Sequence, residues 1–149
     1  MCATNCDCKS LTRIHVPDAL TTITEGCFFD TDLREVTIPE GVTSIMRDAF
    51  CGCNSLEKVR LPETLEKLSR GVFYHCVKLT SITLPKNLQS IGEYCFDECT
   101  SLKDVRLLSP TPPKATTIFP EPFRGTIHVP EGSKILYKEA ECWDNYDIK

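Results

Sequence analysis

The sequence predicts an α/β, strongly β-dominated solenoid: a coil in which each turn of about 23 residues lays down one parallel strand, with a short helix near the C-terminus. Three observations predict it. Prolines stand at positions 17, 39, 62 and 85, with gaps of 22, 23 and 23 residues. The same residue types recur in register on both sides of each proline. The stretch just before each proline alternates apolar and polar side chains, which is the period of a half-buried strand.

Written out in order, the units begin with Leu11-Thr-Arg-Ile14-His-Val16-Pro17. Leu33-Arg-Glu-Val36-Thr-Ile38-Pro39, Leu56-Glu-Lys-Val59-Arg-Leu61-Pro62 and Leu79-Thr-Ser-Ile82-Thr-Leu84-Pro85 follow. Leu102-Lys-Asp-Val105-Arg-Leu107 is the strand of a fifth unit, with Leu108 where proline stands elsewhere. Their β-branched residues favour a strand, and proline ends it because it has no N–H to give to a ladder. After each proline come Leu20, Val42, Leu65 or Leu88, and then Ile23, Ile45, Leu68 or Ile91. Further on lie Phe28, Phe50, Phe73 and Phe96, then Cys53, Cys76 and Cys99, with Thr31 or Asp30 in the first unit. These stretches return the chain to start the next strand, so each apolar slot becomes a column along the core. Neighbouring coils then lie about 4.8 Å apart.

The unit Leu-x-x-Val-x-Ile-Pro-x-x-Val-x-x-Ile-x-x-x-Ala-Phe-x-x-Cys-x-x-Leu, clearest over 33–56, resembles the BspA-type leucine-rich repeat of bacterial and protozoan surface proteins. The tail is similar to the usual ending of such proteins: Thr111-Pro112-Pro113, then Gly125-Thr-Ile127-His-Val129-Pro130-Glu-Gly132-Ser133, then Tyr137-Lys-Glu-Ala140 and Trp143. The resemblance implies a right-handed repeat solenoid used in adhesion or protein binding. It brings no catalytic residue with it.

The expected organisation is repeats over 1–107, an irregular proline-rich connection over 108–125 and a C-terminal cap over 126–149. The repeat region opens with a partial unit, 1–10, in which Asn5 takes the phenylalanine slot and Cys8 the cysteine slot. That start suggests a fragment of a longer protein or a shortened gene product. It shows no clear cap, so an unpaired edge there is a route to self-association. In the cap, Ile127 and Val129 before Pro130 repeat the strand slots. Ser133 is placed to begin a helix whose apolar face is Ile135, Leu136, Ala140 and Trp143.

Composition excludes several classes. Hydrophobic residues make up 41% and charged residues 26%, the balance of a globular chain. A net charge of −4 disfavours a general nucleic-acid binder. The N-terminus lacks a signal peptide, which reads as cytoplasmic for the chain as given, and as cell surface or secreted if it is part of a longer family member. No apolar run is long enough to insert into a membrane. The ten cysteines are accounted for mostly by the repeat. Cys8, Cys53, Cys76 and Cys99 form a structural ladder, while Cys27 and Cys95 share the small-residue slot of Ala49 and Val72. Cys6 and Cys51 sit two coils apart, at about 10 Å too far to pair. His15 and His128 fall in one outward row but about 24 Å apart, too far for a shared metal or triad. Neither a phosphate loop nor a nucleophile elbow occurs, so the expectation is a non-enzyme without a cofactor.

The functional expectation is therefore recognition by the exposed face of the sheet. One outward row, Arg13, Glu35, Lys58, Ser81 and Asp104, alternates in charge and serves the sheet itself. The other runs through His15, Thr37, Arg60, Thr83, Arg106 and His128 and has no acidic member. It is the candidate binding face, for an acidic protein (a host or matrix protein among them) or a glycan. The alternative is a structural segment of a longer surface array with no binding role of its own. Tyr74 and Phe29 share the slot after the core phenylalanine and are expected to pack at its rim.

Overall fold

The computed structural model describes residues 10–149, so Asn5, Cys8 and the rest of partial repeat 1–10 before Ser10 lie outside the described residues. The molecule is a parallel-strand solenoid of about five turns. Strands β2 (Glu35–Thr37), β4 (Lys58–Arg60), β6 (Ser81–Leu84), β8 (Asp104–Leu107) and β9 (Thr126–His128) are the pre-proline strands and the cap strand. They pair in parallel and in register, Val36 on Val59, Ile82 on Val105 and Val105 on Ile127. This ladder is in two segments, β2–β4 and β6–β8–β9. At the break Val59 and Leu61 are half-buried, whereas Ile82 and Leu84 are buried. Leu11–Val16 is not a strand; it runs beside β2 and takes the N–H of Arg34 on the Thr12 carbonyl at 3.3 Å.

A second ladder accompanies the expected one. The return stretches contribute β1 (Thr22–Ile23), β3 (Ser44–Ile45), β5 (Lys67–Leu68) and β7 (Ser90–Ile91), in the order β1-β3-β5-β7 and all parallel. Each is two residues long, and its second residue is buried. In the sequence these strands are visible only as the apolar slot six residues after proline. Two residues are too few to show a period.

Corners are built the same way in each turn. The residue three after proline donates its N–H back to the proline carbonyl: Leu20 to Pro17 at 3.2 Å, Val42 to Pro39 at 3.4 Å, Leu65 to Pro62 and Leu88 to Pro85 at 3.2 Å. Where Leu108 replaces proline, its N–H extends the ladder instead, onto the Leu84 carbonyl at 2.9 Å.

Two further positions per turn adopt left-handed backbone. One is Gly26, Asp48, Gly71 and Tyr94, with φ of 58°, 54°, 61° and 57°. The other is Asp30, Gly52, His75 and Glu98, with φ of 54°, 75°, 59° and 59°. Such a backbone costs an L-residue about 1–2 kcal/mol. The offset is visible: Asp48 N–H reaches Arg70 O of the next turn at 3.1 Å, and His75 N–H reaches Asp97 O at 2.9 Å.

The core is a set of columns. Phe28, Phe50, Phe73 and Phe96 stack with centroids 5.1, 5.5 and 5.5 Å apart and planes within 21°. Beside them each thiol donates to the phenylalanine carbonyl of the preceding turn: Cys53 to Phe28 at 3.1 Å, Cys76 to Phe50 at 3.3 Å and Cys99 to Phe73 at 3.1 Å. Thr31, in the same slot of the first turn, donates its hydroxyl instead to the Phe28 carbonyl of its own turn at 3.1 Å. In each of these turns the slot holds a small group that donates a hydrogen bond, beyond being small and apolar.

The proline-rich segment contains no helix or strand of its own, yet it follows the return path of the turns before it. Lys114 bridges to Ser90, and Phe96 N–H bonds Ile118 O at 2.9 Å. Phe119 continues the ring column, 5.6 Å from Phe96. The carbonyls of this segment are met by the cap: Tyr137 Oη donates to Ser109 O at 3.0 Å and Trp143 Nε1 to Pro113 O at 3.0 Å. The cap helix α1 (Lys134–Glu139) departs from its expected face. Ile135 and Leu136 are exposed, at 68% and 50%, and Tyr137 is the buried residue. A six-residue helix turns one narrow stripe inward, and the need to satisfy those carbonyls selects Tyr137. Ser133 stands at the helix start but makes no side-chain cap bond. The final residues close the sheet beyond β9, with Ile127 N–H on Asp147 O at 3.0 Å and Lys149 N–H on Ile127 O at 2.8 Å.

Candidate functional site

Strand alternation turns every second side chain of the pre-proline strands outward. Register then aligns them: Glu35 beside Lys58 and Thr37 beside Arg60 on one segment, Thr83 beside Arg106 and Arg106 beside His128 on the other. Thr37, Arg60, Thr83, Arg106 and His15 are exposed, and His128 is half-exposed. The balanced row pairs internally, Arg13 Nη2 to Glu35 Oε1 at 3.0 Å. It also reaches across, since Asp104 Oδ2 lies 3.6 Å from His128 Nε2.

The structure groups the candidate residues by neighbouring turn. His15, Thr37 and Arg60 line one shallow cleft together with Arg13, Glu35 and Glu40. Arg60 and Thr83 line a smaller one with Glu63 and Leu108. Neither of these two clefts includes His128. The sequence reading missed the acids that border this row. Asp18, Glu40 and Glu63 occupy the slot directly after the first three prolines, with Lys86 after the fourth, and Asp18 and Glu40 enter the first cleft. Their recurrence one turn apart is the signal that could have found them.

Burial disfavours the thiolate form of several cysteines. A hydrogen bond with Cys99, then burial, holds the Cys76 thiol well above the usual range, and burial does the same for Cys95. Burial, with the nearby Asp48 carboxylate, pushes the half-buried Cys51 up to about 11. Cys51, Cys53, Cys76, Cys95, Cys99 and Cys142 are free thiols. Among the described residues no group of three or more His, Cys, Asp or Glu is arranged to hold a metal ion. No described helix is long and apolar enough to cross a membrane.

At the opposite edge lies the slot after the core phenylalanine. Tyr74 and Tyr94 are exposed, at 36% and 37%, and so is Phe29. Arg70 lies over the Tyr94 ring, 5.3 Å from its centroid. The left-handed backbone of the return edge turns Tyr94 outward, where the periodicity alone gave no direction.

Recurring turns, in-register outward rows and a core of columns define a repeat scaffold of the parallel-solenoid class. A profile of the BspA type leucine rich repeat region, in 6 copies, matches residues 21–131. The chain belongs to the BspA-type leucine-rich repeat family. Among solved structures it is similar to a leucine-rich repeat protein from Bacteroides capillosus, at 35% identity and a TM-score of 0.56 over 59% of this chain and 63% of that one. It is also similar to the leucine-rich repeat protein of T. pallidum, at 29% identity and a TM-score of 0.66 over 74% of this chain and 53% of the other. The pneumococcal vaccine antigen PcpA shares the fold, with a TM-score of 0.69 at 19% identity over 89% of this chain and 39% of that protein. The chain thus spans between 39% and 63% of the length of these structures. None of the curated proteins compared with the chain matches it.

Proposed function

We propose that the chain is a non-enzymatic recognition module that binds an acidic protein partner, in adhesion or protein–protein interaction, through the outward row His15, Thr37, Arg60, Thr83, Arg106 and His128. The observation that carries this reading is the in-register placement of Arg106 beside Thr83 and His128, and of Arg60 beside Thr37, on the exposed face. Exposed cations separated by small threonines leave room for a partner's carboxylates to approach each guanidinium in its bidentate geometry. The acids at the post-proline corner edge this row, so a partner must present its carboxylates to the row itself. That adds specificity to attraction. Family membership supports the scaffold role.

The test is surface plasmon resonance of the chain against a panel of purified acidic and basic matrix proteins, with the double variant Arg60→Glu/Arg106→Glu alongside. At least one acidic protein is expected to bind, with salt-sensitive association. The double variant is expected to bind it about tenfold or more weakly. Equal binding by the double variant, or binding confined to basic proteins, defeats the reading.

A further inference from the structure

The return edge carries a cleft that the sheet-face reading leaves unused. Its floor is Gly71, buried and left-handed. Around it stand Arg47, Asp48, Arg70, Tyr74, Tyr94 and Asp97, enclosing about 520 Å³. That volume is the size of a small-molecule site. The repeat brings these residues together. In the slot Gly26, Asp48, Gly71, Tyr94 the glycine of the third member stands between an acid one turn before and an aromatic residue one turn after. A Cβ on Gly71 would lie 2.4 Å from Asp48 Oδ1 and 3.7 Å from the Tyr74 Cβ, so the missing side chain is what lets the Asp48 carboxylate sit against the backbone at the floor of the cleft.

The chemistry of the walls is selective. Two arginines supply N–H donors and two aspartates supply acceptors, so the formal charge of the lining cancels. Arg47 is already partnered, 3.5 Å from Glu25, which further lowers the pull on an anion. A charge-balanced set of donors and acceptors beside two exposed aromatic rings does not suit a phosphate, a carboxylate or an ammonium ion. It suits a neutral polyhydroxyl ring: every hydroxyl both donates and accepts, and the C–H face of a pyranose packs on a tyrosine ring. The other clefts lack this combination. The one beside the cap has Phe123 and Tyr146, but its charged groups are Glu121 and Glu141 alone. Those on the sheet face contain no Phe, Tyr or Trp.

We propose that this return-edge cleft binds a neutral saccharide, one pyranose ring resting against Tyr74 beside the stacked Arg70–Tyr94 pair, with its hydroxyls shared between Arg47, Arg70, Asp48 and Asp97. The site lies apart from the sheet row, and the two readings stand or fall separately.

The experiment is isothermal titration of the whole chain with cellohexaose, mannohexaose and a sulfated heparin hexasaccharide. Tyr94→Gly, Tyr74→Ala and the sheet variant Arg60→Glu/Arg106→Glu are titrated in parallel. Tyr94→Gly is chosen because glycine already fills this slot at Gly26 and Gly71 and suits the backbone there, so the variant loses the ring without losing the fold. At least one neutral hexasaccharide is expected to bind with a Kd of about 1 mM or tighter. Tyr94→Gly and Tyr74→Ala are each expected to weaken it about tenfold, with the sheet variant unchanged. Binding that is confined to the sulfated sugar, that survives both tyrosine variants, that disappears in the sheet variant, or that is absent for both neutral sugars overturns the proposal.

Discussion

The middle turns and the last turn solve one problem in different ways. In the middle turns each buried group lies on its own counterpart, phenylalanine on phenylalanine and cysteine beside cysteine, with planes as close as 10°. In the last turn the stack survives as Phe119 and then Phe123, and Tyr146 meets both edge-on at 88° and 89°. No cysteine continues the thiol column there. Side-chain donors from the cap, Tyr137 and Trp143, reach back to backbone carbonyls of the proline-rich segment. The lesson is that a column needs a ring at the right place in space, whereas sequence register is only the cheapest way to supply it. Where prolines spoil the register, side chains from another element replace the missing backbone donors.

The comparison can be broken most severely at its centre. Phe73 is fully buried between two stacked rings, and Phe73→Ala is expected to cost about 3–5 kcal/mol. Phe123 is half-buried at the end of the pile, and Phe123→Ala is expected to cost distinctly less. Urea midpoints with matched slopes measure both. Equal losses would mean that the last turn is as tightly determined as the middle ones.

A medium effect separates size from hydrogen bonding in the thiol column. Cys76→Ala removes a buried donor from the Phe50 carbonyl and is expected to cost about 1–3 kcal/mol. Cys76→Thr keeps a donor, as Thr31 does in the same slot, and is expected to recover most of that loss. If alanine and threonine are equivalent in thermal denaturation, the column is merely small.

The smallest effect concerns backbone. Glu98 is exposed and left-handed, in the slot that Gly52 fills one repeat pair earlier. Glu98→Gly is expected to stabilise the chain by about 0.5–1 kcal/mol, the relief of left-handed strain less the added entropy of the unfolded glycine. An unchanged or lower melting temperature would show that the inter-turn hydrogen bonds alone determine the conformation at this slot.

Much of this architecture was legible because repetition multiplies a weak signal. A single Leu-x-x-Val-x-Ile-Pro is a commonplace strand, but its return at 33, 56 and 79 leaves a solenoid as the simplest account. What escaped had no repeated letter. The left-handed slots read Gly, Asp, Gly, Tyr and Asp, Gly, His, Glu, so the conformation they share is hidden by their chemistry. The return strands are too short to alternate. The proline-rich segment read as irregular because its prolines remove N–H donors, although Lys114 still bridges to Ser90. The outward row was legible as a row. The acids beside it and the tyrosine cleft behind it were not, because corners bring together residues from slots that strand periodicity does not link.

By itself the sequence determined the coil, its pitch and the content of its columns, because equal spacing of like residues forces like upon like once strands run parallel. The tertiary structure alone decided which backbone positions turn left-handed, which carbonyls the cap satisfies and which exposed side chains share a cleft. Each of those depends on where a neighbouring turn puts its hydrogen-bonding groups, and no residue carries that information within its own repeat.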